Sequence, residues 1–162
     1  MNEVSINVRR EVIRCKKCKQ SKQLLYLSDF SYGERLVVLN VTPYYAFENL
    51  IEDEYFREFE DMLKHIFNSR SISYTKESFD KLVISTFGIT CDKINGYNID
   101  YLMKDNKCHL CGSTEFENNL LEQESIINIK VPVITHFEWS KLSTEEKEKL
   151  TIHKLKEKSL II

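Results

Sequence analysis

Four of the five cysteines in this 162-residue chain stand in two short pairs, Cys15-Lys16-Lys17-Cys18 and Cys108-His109-Leu110-Cys111, with 89 residues between them. One C-x-x-C turn offers two sulfurs to a single cation, and two such turns complete a tetrahedron. The chemistry expected is that of a four-thiolate site, with Cys15, Cys18, Cys108 and Cys111 as ligands of one structural Zn2+. Four protein ligands leave no open position for a water, so such a centre braces a fold and does not hydrolyse. Other uses of the same residues stand beside this one. Two disulfides need a secreted chain, and residues 1–14 alternate apolar and polar types without the apolar core of a signal peptide. A redox C-x-x-C prefers a helix N-terminus in a thioredoxin-like pattern, which neither pair occupies. The pairs can also serve separate metals across a dimer. Cys91 follows a helical segment and reads as a small buried hydrophobe.

The rest of the sequence offers little for catalysis. There is no nucleophile elbow, phosphate loop or HExxH string, and four glycines in all disfavour a phosphate-cradling loop. His109 reads as a solvent-facing spacer inside its turn, and His65 and His153 as surface or boundary residues of helical segments and not ligands. His136 opens the stretch His136-Phe137-Glu138-Trp139, where it reads as a local cap or hydrogen-bond partner while Trp139 packs a helix onto a sheet. The expectation is a non-enzyme with no small-molecule substrate.

The elements that must position the cysteines can be read from periodicity. Residues 3–14 form a strand with Val4, Ile6, Val8 and Val12 on one face, and Arg10 interrupts that face, which predicts a bulge or an edge. The strand runs straight into the first cysteine pair. Residues 24–27 and 35–40 look like further short strands, and short apolar runs of this kind are ambiguous between strand and buried helix. Thr42 as a cap with Pro43 in the first helical position opens a helical stretch, and apolar residues recur at helical spacing from Phe56 to Phe67 and from Phe79 to Phe87. Thr75 caps the second of these runs, and Gly88 stops it as a C′ residue. Asn95-Gly96 marks a tight hairpin, with Tyr97, Ile99 and Tyr101 alternating beyond it. Ile127, Ile129, Val131 and Val133 alternate again, and Pro132 makes this an edge strand or a strand end. Ser143-Thr144-Glu145-Glu146 is a capping box that opens a last helix over about 143–158.

The expected architecture is α+β in one composite domain spanning 1–162. A β unit from about 1–40 and 91–134 carries the cysteines, a helical insert fills about 42–90, and the C-terminal helix closes the chain. In Cys108-His109-Leu110-Cys111-Gly112 the glycine after the second cysteine permits a left-handed turn that aims amide N–H groups at the thiolates. This segment resembles the knuckle of zinc-ribbon proteins. The resemblance covers about a third of the chain and implies a fold group, not an activity. The first pair departs from the pattern, because Lys19 follows Cys18 and the next glycine is Gly33.

Charge suggests partners by its distribution. The totals, 23 basic and 25 acidic residues, nearly cancel, which gives no global pull toward nucleic acid or anionic membrane. No apolar run approaches the roughly 20 residues needed to span a bilayer, and the expected location is cytoplasmic. Between positions 9 and 22, Arg9, Arg10, Arg14, Lys16, Lys17, Lys19 and Lys22 face one acid, Glu11. Such a run either contacts nucleic-acid phosphates, with Arg9, Arg10, Arg14, Lys16, Lys17 and Lys19 as candidates, or neutralises the −2 charge of a four-thiolate zinc centre. Between 48 and 61, Glu48, Glu52, Asp53, Glu54, Glu58, Glu60 and Asp61 face one base, Arg57, with aromatic residues interleaved. That run is either a solvated helix face or a dock for a basic protein, with Glu48, Glu52, Asp53, Glu54 and Glu58 as candidate contacts. The favoured expectation is a non-catalytic, zinc-stabilised protein-binding module of the adaptor, inhibitor or immunity type. The alternative is a small nucleic-acid-binding zinc ribbon.

Overall fold

A computed structural model describes residues 2–29, 31–39 and 44–161. The layout is α+β, and the chain divides into two compact units, each assembled from two stretches: Met1–Asn49 with Met103–Val133, and Leu50–Leu102 with Ile134–Ile162.

The first unit is built of strands. β1 (Glu3–Arg14) is the central strand of an antiparallel sheet, flanked by β2 (Ser21–Leu27) and β5 (Ser125–Pro132), while β3 (Glu34–Val38) and β4 (Tyr45–Asn49) form a separate hairpin. Its buried apolar side chains are mostly small, among them Val8, Val12, Val37, Ala46 and Val131. β5 is an edge strand ending on Pro132, as its proline predicts. Two expectations are corrected here. Arg10 produces neither a bulge nor an edge, because it pairs in register with Leu25 on one side and Ser125 on the other. Its Nε donates to Gln23 Oε1 at 2.6 Å and its Nη1 meets Glu122 at 3.0 Å, so the charge is partnered where it interrupts the apolar face. The second correction is β4, which is a strand within the stretch read as helical. Tyr45 and Phe47 pair with Val38 and Leu36 across the hairpin, and alternating aromatics suit a pleated surface. The expected Thr42 cap and Pro43 lie outside the described residues.

The second unit is helical. α1 (Glu54–Ser69) begins at Asp53, whose side chain accepts from the Tyr55 amide at 2.8 Å. α2 (Lys76–Thr86) starts from Thr75 in a capping box with Ser78, and α4 (Thr144–Glu157) from Ser143 in a capping box with Glu146. A short α3 (Phe137–Ser140) precedes α4. The helical spacing of the large residues converges on one core, where Phe59, Leu63, Ile66, Phe79, Val83, Phe87, Trp139 and Leu155 are buried together. Trp139 therefore packs among helices, with its ring 6.1 Å from Phe59, and not onto a sheet.

Gly88 serves a different purpose from the expected C′ stop. α2 tightens into a 3₁₀ turn over Phe87–Thr90 with Gly88 inside it. A Cβ at Gly88 would lie 2.0 Å from the Ile99 carbonyl oxygen, so it is close backbone approach that requires glycine here. Asn95 and Gly96 (φ 51° and 81°) form the expected two-residue turn, closed by mutual bonds between Ile94 and Tyr97. The alternation beyond it makes no strand. Ile99 is instead buried, and the Tyr101 ring lies 5.5 Å from Phe87, which ties residues 91–102 to the helical unit.

Candidate metal centre

β1 and β2 are the two arms of a hairpin, paired in register up to Arg14 and Ser21, and Cys15 and Cys18 lie in its turn. The second pair sits in irregular chain that runs back along β1. Lys16 N donates to Glu115 O at 2.9 Å, Glu117 N to Arg14 O at 2.9 Å and Leu121 N to Val12 O at 2.8 Å, and Cys15 bridges Phe116. These bonds bring the two turns face to face. Cys15 Sγ is 3.6 Å from Cys111 Sγ, and Cys18 Sγ is 3.5 Å from Cys108 Sγ, with all four sulfurs within 4.8 Å of one another. A disulfide bond is about 2.05 Å long, so these are not bonded pairs. A zinc–sulfur tetrahedron with bonds of about 2.3 Å has edges of about 3.8 Å. Four soft donors at this spacing can hold a metal ion, and the set is compatible with a zinc-binding site.

The two turns share one geometry despite their different sequences. Lys19 N donates to Cys15 O at 3.0 Å, as Gly112 N does to Cys108 O at 2.8 Å. Cys15 N donates to Gln20 O at 2.9 Å, as Cys108 N does to Ser113 O at 2.8 Å. Both turns need a left-handed residue after the second cysteine. Gly112 adopts it at φ 73°, and Lys19 adopts it at φ 62° with a side chain that disfavours it. The departure at Lys19 thus changes the cost of the knuckle and not its shape.

Backbone amides set the electrostatics. N–H groups of Cys18 and Lys17 point at the Cys15 sulfur and, against burial, lower its pKa to about 6. The Cys111 and Leu110 amides act the same way on Cys108 and hold its thiol below the ordinary value. At Cys18 the Gln20 amide favours the thiolate, but burial and the sulfurs of Cys108, Cys111 and Cys15 outweigh it and push the pKa up to about 12. Thiolates packed this closely repel one another, and a bound cation would offset that repulsion. Cys91 lies apart from this cluster. It packs against the helical core with its sulfur 3.5 Å from Tyr101 Oη, but it is half-buried and not the fully buried hydrophobe expected.

The basic run divides on folding. Arg9 meets Glu11 and Glu124 at 3.5 Å, Arg10 meets Glu122, and Lys19 meets Glu117 at 3.5 Å. Arg14, Lys16 and Lys17 are exposed and form no ion pair among the described residues. Lys22 is 4% exposed and paired inside the strand unit. The acidic run divides as well. Glu48 is buried, Asp53 caps α1 and meets His136 Nε2 at 2.9 Å, and Glu58 pairs with Lys147 at 2.5 Å. Glu52 and Glu54 remain exposed.

Sequence reasoning named His136 as a local cap or hydrogen-bond partner, of which the hydrogen bonding is seen and a side-chain cap of α3 is not, and it passed over a second polar arrangement. His136 is buried, with Nδ1 3.0 Å from both Thr90 Oγ1 and the Thr90 carbonyl and its ring against Tyr55 and Phe87. This order of carboxylate, imidazole and hydroxyl has the composition of a nucleophilic triad, but Thr90 is 1% exposed and its hydroxyl also donates to the Phe87 carbonyl at 3.0 Å, so the group is enclosed in the helical unit. The second arrangement joins Lys22, Asp105 and Tyr45, and only the count of buried charge in the folded chain reveals it. No helix among the described residues is long and apolar enough to cross a membrane. Comparison of the chain with protein-family models, with curated proteins and with solved structures finds no match.

Proposed function

We propose that Cys15, Cys18, Cys108 and Cys111 bind one zinc ion as a closed structural centre, and that the chain is a non-catalytic protein-binding module. The observation that carries this reading is the mutual approach of four sulfurs, each from a knuckle whose amides favour thiolate. A donor set made of four protein thiolates has no position left for a reacting water. Among the candidate contacts for a basic partner, Glu52 and Glu54 support the reading best, since they are solvent-facing while Glu48, Asp53 and Glu58 are committed within the fold. The adjoining Ile51 is 51% exposed and adds apolar surface beside them.

A second reading rests on Arg14, Lys16 and Lys17, which keep unpaired charge beside the first cysteine pair. These three can contact phosphates as a small nucleic-acid-binding ribbon would. Elemental analysis with native mass spectrometry tests the centre, and one zinc per monomer is the expected result. Binding to single- and double-stranded DNA and RNA across a salt series separates the two readings. Affinity that falls steeply with salt, and is lost in an Arg14→Ala/Lys16→Ala/Lys17→Ala variant, replaces the protein-binding reading with the nucleic-acid one.

A further inference from the structure

Lys22 is an unusual lysine: on a β-strand, four residues beyond Cys18, and almost fully buried. Its ammonium forms an ion pair with Asp105 Oδ1 and donates to the Lys107 carbonyl at 2.5 Å. The other carboxylate oxygen of Asp105 accepts from Tyr45 Oη at 2.6 Å. Burial, followed by the Asp105 carboxylate, raises the Tyr45 pKa, so the phenol stays a donor. The Phe116 ring lies 5.8 Å from the same ammonium. Asp105 and Lys107 lead into Cys108, and Phe116 follows Cys111 and bridges Cys15. Both flanks of the second cysteine pair therefore close on one cation, which is anchored in the strand that leaves the first pair.

A buried charge is costly unless it is paired, and a buried pair adds little net stability over apolar residues of the same size. What this pair adds is position. Residues 103–124 contain no regular element, and the backbone bonds that tie this segment to β1 and its turn all lie after Cys111, at Glu115, Glu117 and Leu121, which leaves the stretch before Cys108 to this pair. We propose that Lys22, Asp105 and Tyr45 form a positioning clasp that gathers the second cysteine pair over the first before a metal arrives, and thereby sets the affinity of the centre. The proposal rests on the reading of the four thiolates as a metal site.

The test measures Zn2+ affinity of the full chain by competition with a chromophoric chelator, at a temperature where the metal-free proteins are folded by circular dichroism. Asp105→Asn and Lys22→Met should each weaken zinc about tenfold or more, the range seen when groups behind metal ligands are removed. The double variant Lys22→Met/Asp105→Leu leaves no charge unpaired and should recover part of that loss, a coupling that independent residues would not show. Co2+-loaded variants should keep the ligand-field bands of a tetrahedral four-sulfur site, since the ligands are untouched. Should the single variants fail to fold, Tyr45→Phe keeps the ion pair and removes one hydroxyl, and it should weaken zinc a few-fold. Zinc affinity unchanged in every variant that folds overturns the clasp alone. So does an equal loss in Val8→Ala, which pairs with Leu27 and Ile127, five positions along β1 from the Ile13 opposite Lys22, and tests for general destabilisation. A wild-type chain that takes up no zinc overturns the metal reading and the clasp together.

Discussion

The two units of this molecule are held together by different forces. In the helical unit, Phe59, Phe67, Phe79, Phe87 and Trp139 bury large rings beside Leu63, Ile66 and Leu155, and each ring removes much apolar surface from water. In the strand unit Leu39 and Tyr45 are the large apolar residues among the buried ones, beside four valines, an alanine and two cysteines, and a long irregular segment carries half of the candidate metal ligands. Such a unit is short of hydrophobic stabilisation, and small β units of this kind commonly rely on a metal or a disulfide. The comparison teaches where each kind of damage should appear.

The largest effect should come from metal removal. Stripping the zinc-loaded chain with a chelator, or substituting Cys108→Ser, should lower the stability of the strand unit by about 4 kcal/mol or more. Far-UV circular dichroism on heating should then show two transitions, with the helical one little changed. A single transition shifted as a whole would mean that the units melt as one body and that the contrast drawn here fails. Next in size is Phe59→Ala, fully buried in the helical core, which should cost about 3–5 kcal/mol. It should leave metal stoichiometry intact, and zinc analysis of the variant checks this.

A smaller effect is expected at Asp92, which accepts from Thr135 Oγ1 at 2.6 Å and from the Phe137 and Glu138 amides at 2.7 and 2.9 Å. Burial pushes its carboxyl up, but these donors outweigh it and hold the pKa below the ordinary value. A folded pKa below the unfolded one means that the carboxylate stabilises above the unfolded value, near pH 4. That contribution is lost as pH falls through the lower folded one. Asp92→Ala should cost about 1–2 kcal/mol at neutral pH, as loss of a helix cap does. The gap in urea midpoint between wild type and variant should narrow at strongly acid pH. Smallest is Lys19→Gly, which relieves a left-handed lysine. It should stabilise the strand unit by about 1 kcal/mol or less, since only the exposed pair with Glu117 is lost. Destabilisation by this change would show that the Lys19 side chain matters more to the knuckle than its backbone.

Much of the layout was legible without coordinates. Ser143 and Thr75 announced their helices because capping is a local contract between residues three apart. Asn95-Gly96 announced its turn for a similar reason. The cysteines announced the site because metal ligands need both a residue type and a spacing. Legibility failed where the deciding partner was far away in the chain. Gly88 looked like a helix stop until Ile99 came against it, and Lys22 looked like one of a basic run until Asp105 and Lys107 enclosed it. Charge runs were the least readable signal. Glu48, Asp53 and Glu58 counted as surface acids in the sequence, and folding commits each of them.

The sequence by itself determined the identity of the candidate ligands, the capped helices and the strand that leads into Cys15, because each depends on chemistry or contacts within a few residues. Tertiary structure decided which side of the chain each charge faces, which glycine is indispensable and how residues 103–124 are held. Those outcomes depend on groups that meet from beyond the reach of a cap or a tight turn, as Gly88 meets Ile99 and Lys22 meets Asp105, and no local pattern records such a meeting.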